Sequence, residues 1–174
     1  RGVTMLFGER LMTPRLILRR PTMEDVERFL AWSHSQMAHG EYLTPERVDP
    51  EAAQDVLCGA ASWQPGRRLF VVEEKAGGAA IGTLRYWLRP ERPGCAVMAI
   101  KIAEPGRRGL GYGTEAQKYV IMHLFTKEKV AAVEMYTDIN NRPQQRCLAK
   151  LGFTLVESLA YDDHQVQRVG HLFR

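Results

Sequence analysis

The sequence predicts a single mixed α/β (α+β) domain, in which helices pack against one mixed sheet. The first observation is the order of apolar patterns along the chain, β-α-α-β-β-β-α-β-α-β-β, because strand-like alternation gives way repeatedly to helical spacing. The second is the length of 174 residues, which suits one domain with a substantial core. The third is an ordinary composition, 45% hydrophobic and 25% charged, with no internal repeat or linker.

The first part of the chain predicts a strand and a helix, followed by a loop. Arg15–Arg19 alternates apolar and polar residues, which is typical of a strand. Thr22 and Asp25 resemble a capping box, so we expect a helix from here to about residue 33. The polar stretch at 34–45 predicts an irregular surface loop.

A second helix and a three-stranded meander come next. An Asp-Pro pair, cap then first turn, predicts a helix over about 49–62. Leu69–Lys75 and Ala80–Leu88 are separated by two glycines, which predicts a hairpin. After another turn, Ala96–Ala103 predicts the third strand.

The second half predicts a long helix, a strand, a short helix and a terminal hairpin. The long helix is expected to open at Thr114, and apolar residues recur along it at helical spacing. They are Ala116, Val120, Ile121, Leu124 and Phe125. Val130–Thr137 predicts a strand, and Pro143 starts the short helix. Phe153–Leu159 and Gln165–Phe173 predict the hairpin.

Charge and cysteine content exclude several classes of protein. A net charge of +4 fits an anionic small ligand, and without a basic run it makes nucleic acid an improbable partner. Cys58, Cys95 and Cys147 are widely spaced, which indicates reduced thiols in a cytoplasmic protein and neither disulfides nor a metal site. No apolar run is long enough to span a membrane. We expect the domain to occupy residues 1–174, with 1–10 as a loosely ordered extension.

The segment RRGLGYG at 107–113 predicts an anion-binding loop. Its three glycines leave the backbone accessible, and Thr114 could cap the helix that follows. The first N–H groups of a helix favour a phosphate or pyrophosphate. A Walker loop is excluded because Thr and Glu follow the last glycine, where that loop requires Lys and then Ser or Thr. The GxGxG spacing after an antiparallel meander also argues against a Rossmann fingerprint.

Three blocks in this sequence resemble the GNAT acyltransferase superfamily. Arg108-x-x-Gly111-x-Gly113 resembles its Q/R-x-x-G-x-G/A motif, and NRPQQRCLAKLGF at 141–153 resembles its N-x-x-S-x-x-x-L-x-K-x-G-F block. The opening segment at 13–32 is similar to the branch of ribosomal-protein N-terminal acetyltransferases. The resemblance extends from about residue 13 to residue 173.

This resemblance implies a single GNAT-like domain, with a mostly antiparallel sheet splayed at the cofactor site and helices on both faces. The strand before the loop is expected to be bulged. The implied co-substrate is acetyl-CoA, with no metal. The residues that the resemblance assigns to cofactor binding are Lys101, Ile102 and Ala103 for pantetheine, Arg108, Gly109, Gly111, Gly113 and Thr114 for pyrophosphate, and Asn141 for the cofactor arm. A strand N–H is expected to polarise the thioester carbonyl.

The sequence departs from the family at the residues that usually carry protons. Tyr136 occupies the position of a frequent glutamate, Leu148 that of a frequent tyrosine, and Gln144 that of a serine. Either solvent carries the protons or other side chains do. Tyr136 could donate a proton to the leaving thiolate, and Asp162 or Asp163, at the turn of the terminal hairpin, could accept one from the amine. Such help is typically worth about 10²- to 10⁴-fold.

Several alternatives for the partner remain open. The implied reaction acetylates a primary amine, either a protein N-terminus or a small molecule such as an aminoglycoside, polyamine or amino acid. A non-catalytic acyl-CoA-binding module is the alternative from another class, and a homodimer is compatible with either. Two sets of side chains are further candidates for contact with the acceptor or the 3′-phosphate of CoA. They are Trp32, His34, His39 and Tyr42 for the acceptor, and Arg146 and Lys150 for the phosphate.

Overall fold

The structure is a computed structural model in which residues 10–163 and 166–174 are described. Within these ranges one sheet of nine strands is formed. The strands are β1 (Arg10–Met12), β2 (Leu16–Arg19), β3 (Trp63–Gln64), β4 (Arg67–Glu74), β5 (Ala80–Leu88), β6 (Cys95–Ile102), β7 (Ala132–Asp138), β8 (Leu155–Asp163) and β9 (Val166–Phe173). The helices are α1 (Val26–Ser33), α2 (Gln36–His39), α3 (Ala53–Cys58), α4 (Tyr112–Thr126) and α5 (Arg142–Lys150). No helix in the described ranges has the length and apolar character needed to cross a membrane.

The strands follow the order β1-β2-β4-β5-β6-β7-β9-β8, with β3 paired to β4. All pairs are antiparallel except β6 and β7, which run parallel. This mixed, mostly antiparallel sheet confirms the predicted fold class. The hairpin of β4 and β5 and the capping box at Thr22 and Asp25 are also confirmed.

The parallel pair of strands at the centre of the sheet separates after a short contact. β6 and β7 pair only from Cys95–Val97 to Ala132–Glu134. From Met135 onward β7 pairs with β9 instead, so the second half of β6 has an open edge. The predicted splay is therefore confirmed. The N–H groups of Ala103 and Glu104 both donate to the carbonyl of Ile81, the two-against-one pattern of a β-bulge at the end of β6.

Helix α4 packs on one face of the sheet and supplies much of the main core. Ala116, Val120 and Leu124 are fully buried there, as their helical spacing predicts. Phe125 is 45% exposed, so it does not belong to the buried stripe. Helices α1 and α2 cover the other face near the end of β6, where Trp32 and Ala38 pack with Ala103.

The long helix begins earlier than predicted, and Thr114 does not cap it. Gly111 occupies the cap position with φ +84°, a left-handed conformation in which glycine is the least strained residue, and α4 starts at Tyr112. The hydroxyl of Thr114 instead lies 3.0 Å from Sγ of Cys147 on α5. Thr114 thus links the two helices.

Other boundaries differ for local reasons. The predicted loop at 34–45 contains the short helix α2, whose cap Ser35 accepts a hydrogen bond from the N–H of Ala38. Helix α3 ends at Gly59, where a 3₁₀ turn at Ala60–Ser62 replaces the longer helix that was expected. β8 runs on through Asp163, so the two aspartates predicted at the turn lie on the strand. Residues 1–9 and 164–165 fall outside the described residues, while Arg10 begins β1.

Candidate active site

The glycine loop presents a row of backbone donors between the end of β6 and the start of α4. Among the described residues, the successive N–H groups from Gly109 to Thr114 donate to no other protein group. They lie at the positive end of a 15-residue helix. Donors of this kind favour a phosphate group. The loop therefore fits the pyrophosphate of a CoA-type cofactor.

Two carboxylates, one at the end of β4 and one in the first turn of α4, hold this loop in place. Glu74, at the end of β4, accepts 2.6 Å from the hydroxyl of Tyr112 and 3.0 Å from Nε of Arg107. Glu115, in the first turn of α4, accepts from Nε and the backbone N–H of Arg15 and from Thr13 Oγ1. These contacts join residues far apart in sequence, so the donor row is ordered by the fold.

Arg108 shapes the loop with its side chain. Its backbone N–H donates to Pro105, which removes it from the donor row. Its guanidinium donates to the carbonyls of Ile102, Met37 and Ala38 at 2.8 to 2.9 Å. Arg108 thereby ties α2 to the end of β6, next to the open edge.

The open edge of β6 offers backbone groups from alternate residues only. The N–H of Ala103 donates to Ile81, and the carbonyl of Lys101 faces Gly82, so both residues direct these groups toward β5. The carbonyl of Ile102 instead accepts from Arg108 on the open side. Because the direction alternates along a strand, Ile100 and Ile102 turn their N–H groups toward the opening. Of the three residues predicted to pair with pantetheine, Ile102 alone has this orientation.

Helix α5 forms the other wall of the cofactor cleft. Asn141 caps it, and its Oδ1 accepts from the N–H of Gln144, which leaves the side-chain amide group at the helix start. The side chain of Gln144 donates 2.9 Å to Gln117, a fully buried residue of α4. Thr137, on the α5 side of β7, has a buried hydroxyl with no hydrogen-bond partner among the described residues.

A cavity of about 770 Å³ lies on the face of the sheet away from α4. Its floor is formed by β4, β5 and β6, and its walls by α3, the segment between α2 and α3, and the end of β8. Of the four side chains predicted to line an acceptor pocket, only His39 does so. Trp32 is buried and donates to Glu104, while His34 binds the carbonyl of Val48.

A buried charged cluster lies at the cofactor end of this cavity. The amine of Lys101 lies 3.1 Å from Glu46 and 3.3 Å from Nε2 of His39. Nδ1 of His39 lies 2.8 Å from the carbonyl of Ser35, so Nδ1 carries a proton. Burial opposes ionisation of Glu46, but contact with His39 and the positive charges of Lys101 and Arg85 outweigh it and bring its pKa to about 2. Glu46 is thus a permanent anion that holds the Lys101 side chain, and a poor base.

We expect Glu46→Gln to weaken the pH dependence of stability in acid. The folded pKa of Glu46 lies below its ordinary value of 4.5, so its carboxylate stabilises the fold above that pH, and this contribution is lost as pH falls toward 2. The variant should be about 3 kcal/mol less stable at pH 6, with a gap that narrows toward pH 3 in urea titrations. Glu41→Gln, an exposed change of the same kind, is the control. A gap that stays constant with pH would contradict this assignment.

Tyr136 lies beside the split, with its hydroxyl held by a buried ion cluster. Tyr136 lies two residues after Glu134, the last residue of β7 that pairs with β6, and it lines the cavity. Nη2 of Arg89 donates 2.8 Å to its hydroxyl, and Nε of the same side chain donates 2.8 Å to Glu134. Glu134 is completely buried and also accepts from Arg92 and Arg174. Because Arg89 donates to the phenol oxygen, this contact does not use the phenol proton.

The ring of Tyr136 stacks on Tyr161 of β8, at 5.6 Å between centroids. Tyr161 can approach because Gly170 on β9 has no side chain, and a Cβ there would meet the Thr137 carbonyl and lie 2.6 Å from the Tyr161 ring. We expect Gly170→Ala to destabilise the protein by about 1–3 kcal/mol in chemical denaturation. Gly106→Ala, where a Cβ meets no atom within 4 Å, is the control. Equal stabilities of the two variants would exclude the close packing described here.

The two aspartates that were predicted to lie at a turn are on strand β8 instead, and both line the cavity. Asp163 lines it, and its Oδ2 accepts 2.8 Å from the N–H of Thr44, which joins β8 to the segment between α2 and α3. Asp162 also lines the cavity. Sequence reasoning missed Glu46, Arg89 and Glu134, since most of their partners lie 40 to 55 residues away and no local pattern marks them.

Comparison with known proteins identifies the family to which this chain belongs. The sequence profile of the acetyltransferase (GNAT) domain matches residues 15–154. No curated protein matches the chain in a direct sequence comparison.

Three solved structures illustrate the similarity of fold. A GNAT-family acetyltransferase from Bacillus anthracis superposes with a TM-score of 0.75 at 14% identity, covering 94% of this chain and 96% of its own. RimJ from Mycobacterium smegmatis, in complex with CoA-disulfide, gives 0.75 at 20% identity, covering 91% and 80%. RimL, a ribosomal α-N-protein acetyltransferase in complex with coenzyme A, gives 0.76 at 13% identity, covering 92% and 93%. At these identities the likeness concerns the fold.

Proposed function

The chain belongs to the acetyltransferase (GNAT) family, and on that premise we propose that it transfers an acetyl group from acetyl-CoA to a primary amine. One observation carries the proposal: the donor row at 109–114 and the acceptor-sized cavity lie on two sides of the split between β6 and β7. A cofactor in the cleft and an amine in the cavity would meet where the strands part.

Acetyl-CoA supplies an acetyl group activated as a thioester. The residues that would hold it are those with unused backbone donors: Gly109, Gly111, Gly113 and Thr114 at the pyrophosphate, and Ile102 with Ile100 at the pantetheine. Asn141 would contribute its side-chain amide. An N–H at the open edge of β6 stabilises negative charge on the acyl oxygen. Lys101, Ala103 and Arg108 shape this site from positions that direct their backbone donors elsewhere.

Tyr136 is the proposed proton donor to the leaving thiolate. Arg89 donates to the phenol oxygen, so it orients the hydroxyl and stabilises the phenolate that remains after the proton has left. Asp163 is the proposed acceptor of the amine proton, because its carboxylate is held at the cavity wall by the N–H of Thr44. Both groups line the cavity in which the amine would bind.

A protein N-terminus is the first proposed acceptor. The similarity of fold to RimL and RimJ supports it by analogy. A small-molecule amine is the second candidate, because the hydrogen bond between Asp163 and Thr44 bridges the cavity wall and limits its width. We also propose a cytoplasmic location, which the three free cysteines support. A homodimer is proposed as well, and its interface would include the exposed apolar residues Leu155, Val156 and Val169 on β8 and β9.

The proposal is tested by following free thiol release from acetyl-CoA with a panel of amines. The panel contains short peptides with free N-termini, polyamines, aminoglycosides and amino acids, and the same compounds with blocked amines serve as controls. Thiol release that requires the free amine supports an N-acetyltransferase. CoA binding without turnover of any amine would point to an acyl-CoA-binding module, and failure to bind CoA would reject the proposal.

A further inference from the structure

The cavity floor contains an arginine, Arg85, whose guanidinium forms no hydrogen bond or ion pair within the described residues, although the carboxylate of Glu46 is near enough to interact with its charge. We infer that the acceptor carries an oxyanion, a carboxylate or a phosphate, in addition to its amine, and that Arg85 binds this group. The inference rests on the proposed function, since it concerns the same cavity. It names a property of the acceptor that neither the family nor the cofactor site specifies.

Arg85 lies in the middle of the floor with small or apolar neighbours on both sides. It is on β5, where its register partners are Ala99 on β6 and Leu69 on β4. Its side chain points away from α4, because the adjacent residues Leu84 and Tyr86 are buried in the core on the α4 side. The guanidinium lies 5.4 Å from the Trp87 ring centroid, and the residue is exposed within the cavity.

No residue in the described ranges offers Arg85 a hydrogen bond or an ion pair. The carboxylate of Glu46, which lines the same cavity, is engaged by Lys101, and that of Asp163 accepts from Thr44. Asp55 and Asp162 also line the cavity and form no ion pair with Arg85. Some other arginines of this sheet are paired with carboxylates, as Arg19 and Arg89 are. Arg67 and Arg68, at the start of β4, also line the cavity, and Arg85 is the arginine in the middle of its floor.

The chemistry of a guanidinium indicates the kind of group that would complete this site. Its planar donors match the two oxygens of a carboxylate or phosphate, and such charge-assisted pairs are the stronger hydrogen bonds. Glu46 forms its ion pair with Lys101 and interacts with the charge of Arg85 only at longer range, so an incoming oxyanion would find the donors of Arg85 unoccupied. An amine that carries an oxyanion would be oriented by this guanidinium.

The register also gives the approximate spacing between the two ends of the acceptor. Val97 pairs with Glu134, so Ala99 is level with Tyr136 across the split, and Arg85 pairs with Ala99. Arg85 and Tyr136 are therefore two strands apart, at least roughly 10 Å between backbones, because β6 and β7 have already separated at this level. The amine and the oxyanion should be separated by several bonds. A free amino acid and an acidic residue near a protein N-terminus both meet this requirement.

The test compares matched acceptors in the thiol-release assay, with wild type, Arg85→Gln and Arg28→Gln. Arg28 is an exposed residue of α1 that does not line the cavity, so its variant controls for the loss of one charge. The pairs are 4-aminobutanoate with its carboxamide, O-phosphoethanolamine with ethanolamine, and the peptide amide Ala-Asp-Ala with Ala-Asn-Ala. Each pair differs in the oxyanion, and the pairs distinguish a carboxylate, a phosphate and a peptide source.

We expect wild type to prefer the anionic member of at least one pair by about 10- to 100-fold in kcat/KM. Arg85→Gln should remove this preference and change the neutral member less than about 2-fold, while Arg28→Gln keeps the wild-type preference. Wild type without a preference, or Arg85→Gln with an undiminished one, would overturn the inference and leave the acetyltransferase proposal standing.

A binding measurement separates the two proposals if no amine is acetylated. Calorimetric titration of the CoA-saturated protein with 4-aminobutanoate and O-phosphoethanolamine should show binding to wild type that Arg85→Gln weakens about 10-fold or more. Binding that depends on Arg85 in the absence of turnover would support the anion site and reject the enzyme. Absence of both turnover and such binding would reject both.

Discussion

Gly113→Glu is expected to abolish CoA binding while the fold stays intact. A Cβ at this position would lie 3.9 Å from its nearest neighbour, the Gln117 amide, so the new side chain fits without strain. Its carboxylate would lie among the N–H donors at 109–114, where the pyrophosphate is proposed to bind. Like charges about 4 Å apart near a protein surface repel by about 4 kcal/mol, so affinity should fall on the order of 100- to 1000-fold.

Isothermal titration with CoA measures this loss, and circular dichroism checks the fold. Gly113→Ala is the matched control, because it adds a Cβ in the same open space without charge, and we expect it to bind CoA within about 3-fold of wild type. Retention of CoA affinity in the glutamate variant would place the cofactor elsewhere.

Tyr136→Phe is expected to lower kcat about 100-fold and leave both KM values nearly unchanged. The substitution keeps the ring that stacks on Tyr161 and removes only the hydroxyl that Arg89 orients. Proton transfer by a positioned side chain is typically worth about 10²- to 10⁴-fold, and solvent would replace part of it. A change confined to kcat is the signature of a group that acts in the transition state.

Steady-state kinetics with the best amine of the panel provides the measurement. Tyr161→Phe is the control, because it removes a hydroxyl from the other ring of the same stacked pair. If Tyr136→Phe keeps more than about a third of wild-type kcat, solvent carries the proton and Arg89 merely holds the ring. A rise in KM with an unchanged kcat would instead make Tyr136 a binding residue.

The part of the site that is proposed to bind the cofactor could be located from local patterns. Gly109, Gly111 and Gly113 mark the loop directly, since backbone accessibility and helix start signals act over a few residues. Asn141 followed by Arg-Pro marks the start of α5, and the structure places the asparagine at that cap. The finer assignment within the loop was less successful, because Gly111 replaces Thr114 as the cap and Arg108 uses its own N–H internally.

The acceptor side could not be located in this way. Lys101 was selected for its backbone, yet its side chain is the part that reaches the cavity, where it meets Glu46 from 55 residues away. Arg89 and Tyr136 lie 47 residues apart and meet because β5, β6 and β7 are neighbours in the sheet. The distribution of charge in the cavity depends on which of these side chains form ion pairs or hydrogen bonds in the folded structure.

The sequence by itself determined the mixed α/β fold and the position of the glycine loop, because glycine, proline, cap residues and apolar periodicity act on the backbone near them. The family was indicated by the resemblance of three sequence blocks to the GNAT superfamily. Only the tertiary structure decided which groups face the open edge of β6, that Tyr136 receives a hydrogen bond from Arg89, and that Arg85 lies on the cavity floor with no hydrogen bond or ion pair among the described residues. The physical reason is register: pairing between distant strands sets which side chains share a face, and a shift of one residue would turn each of them to the other side.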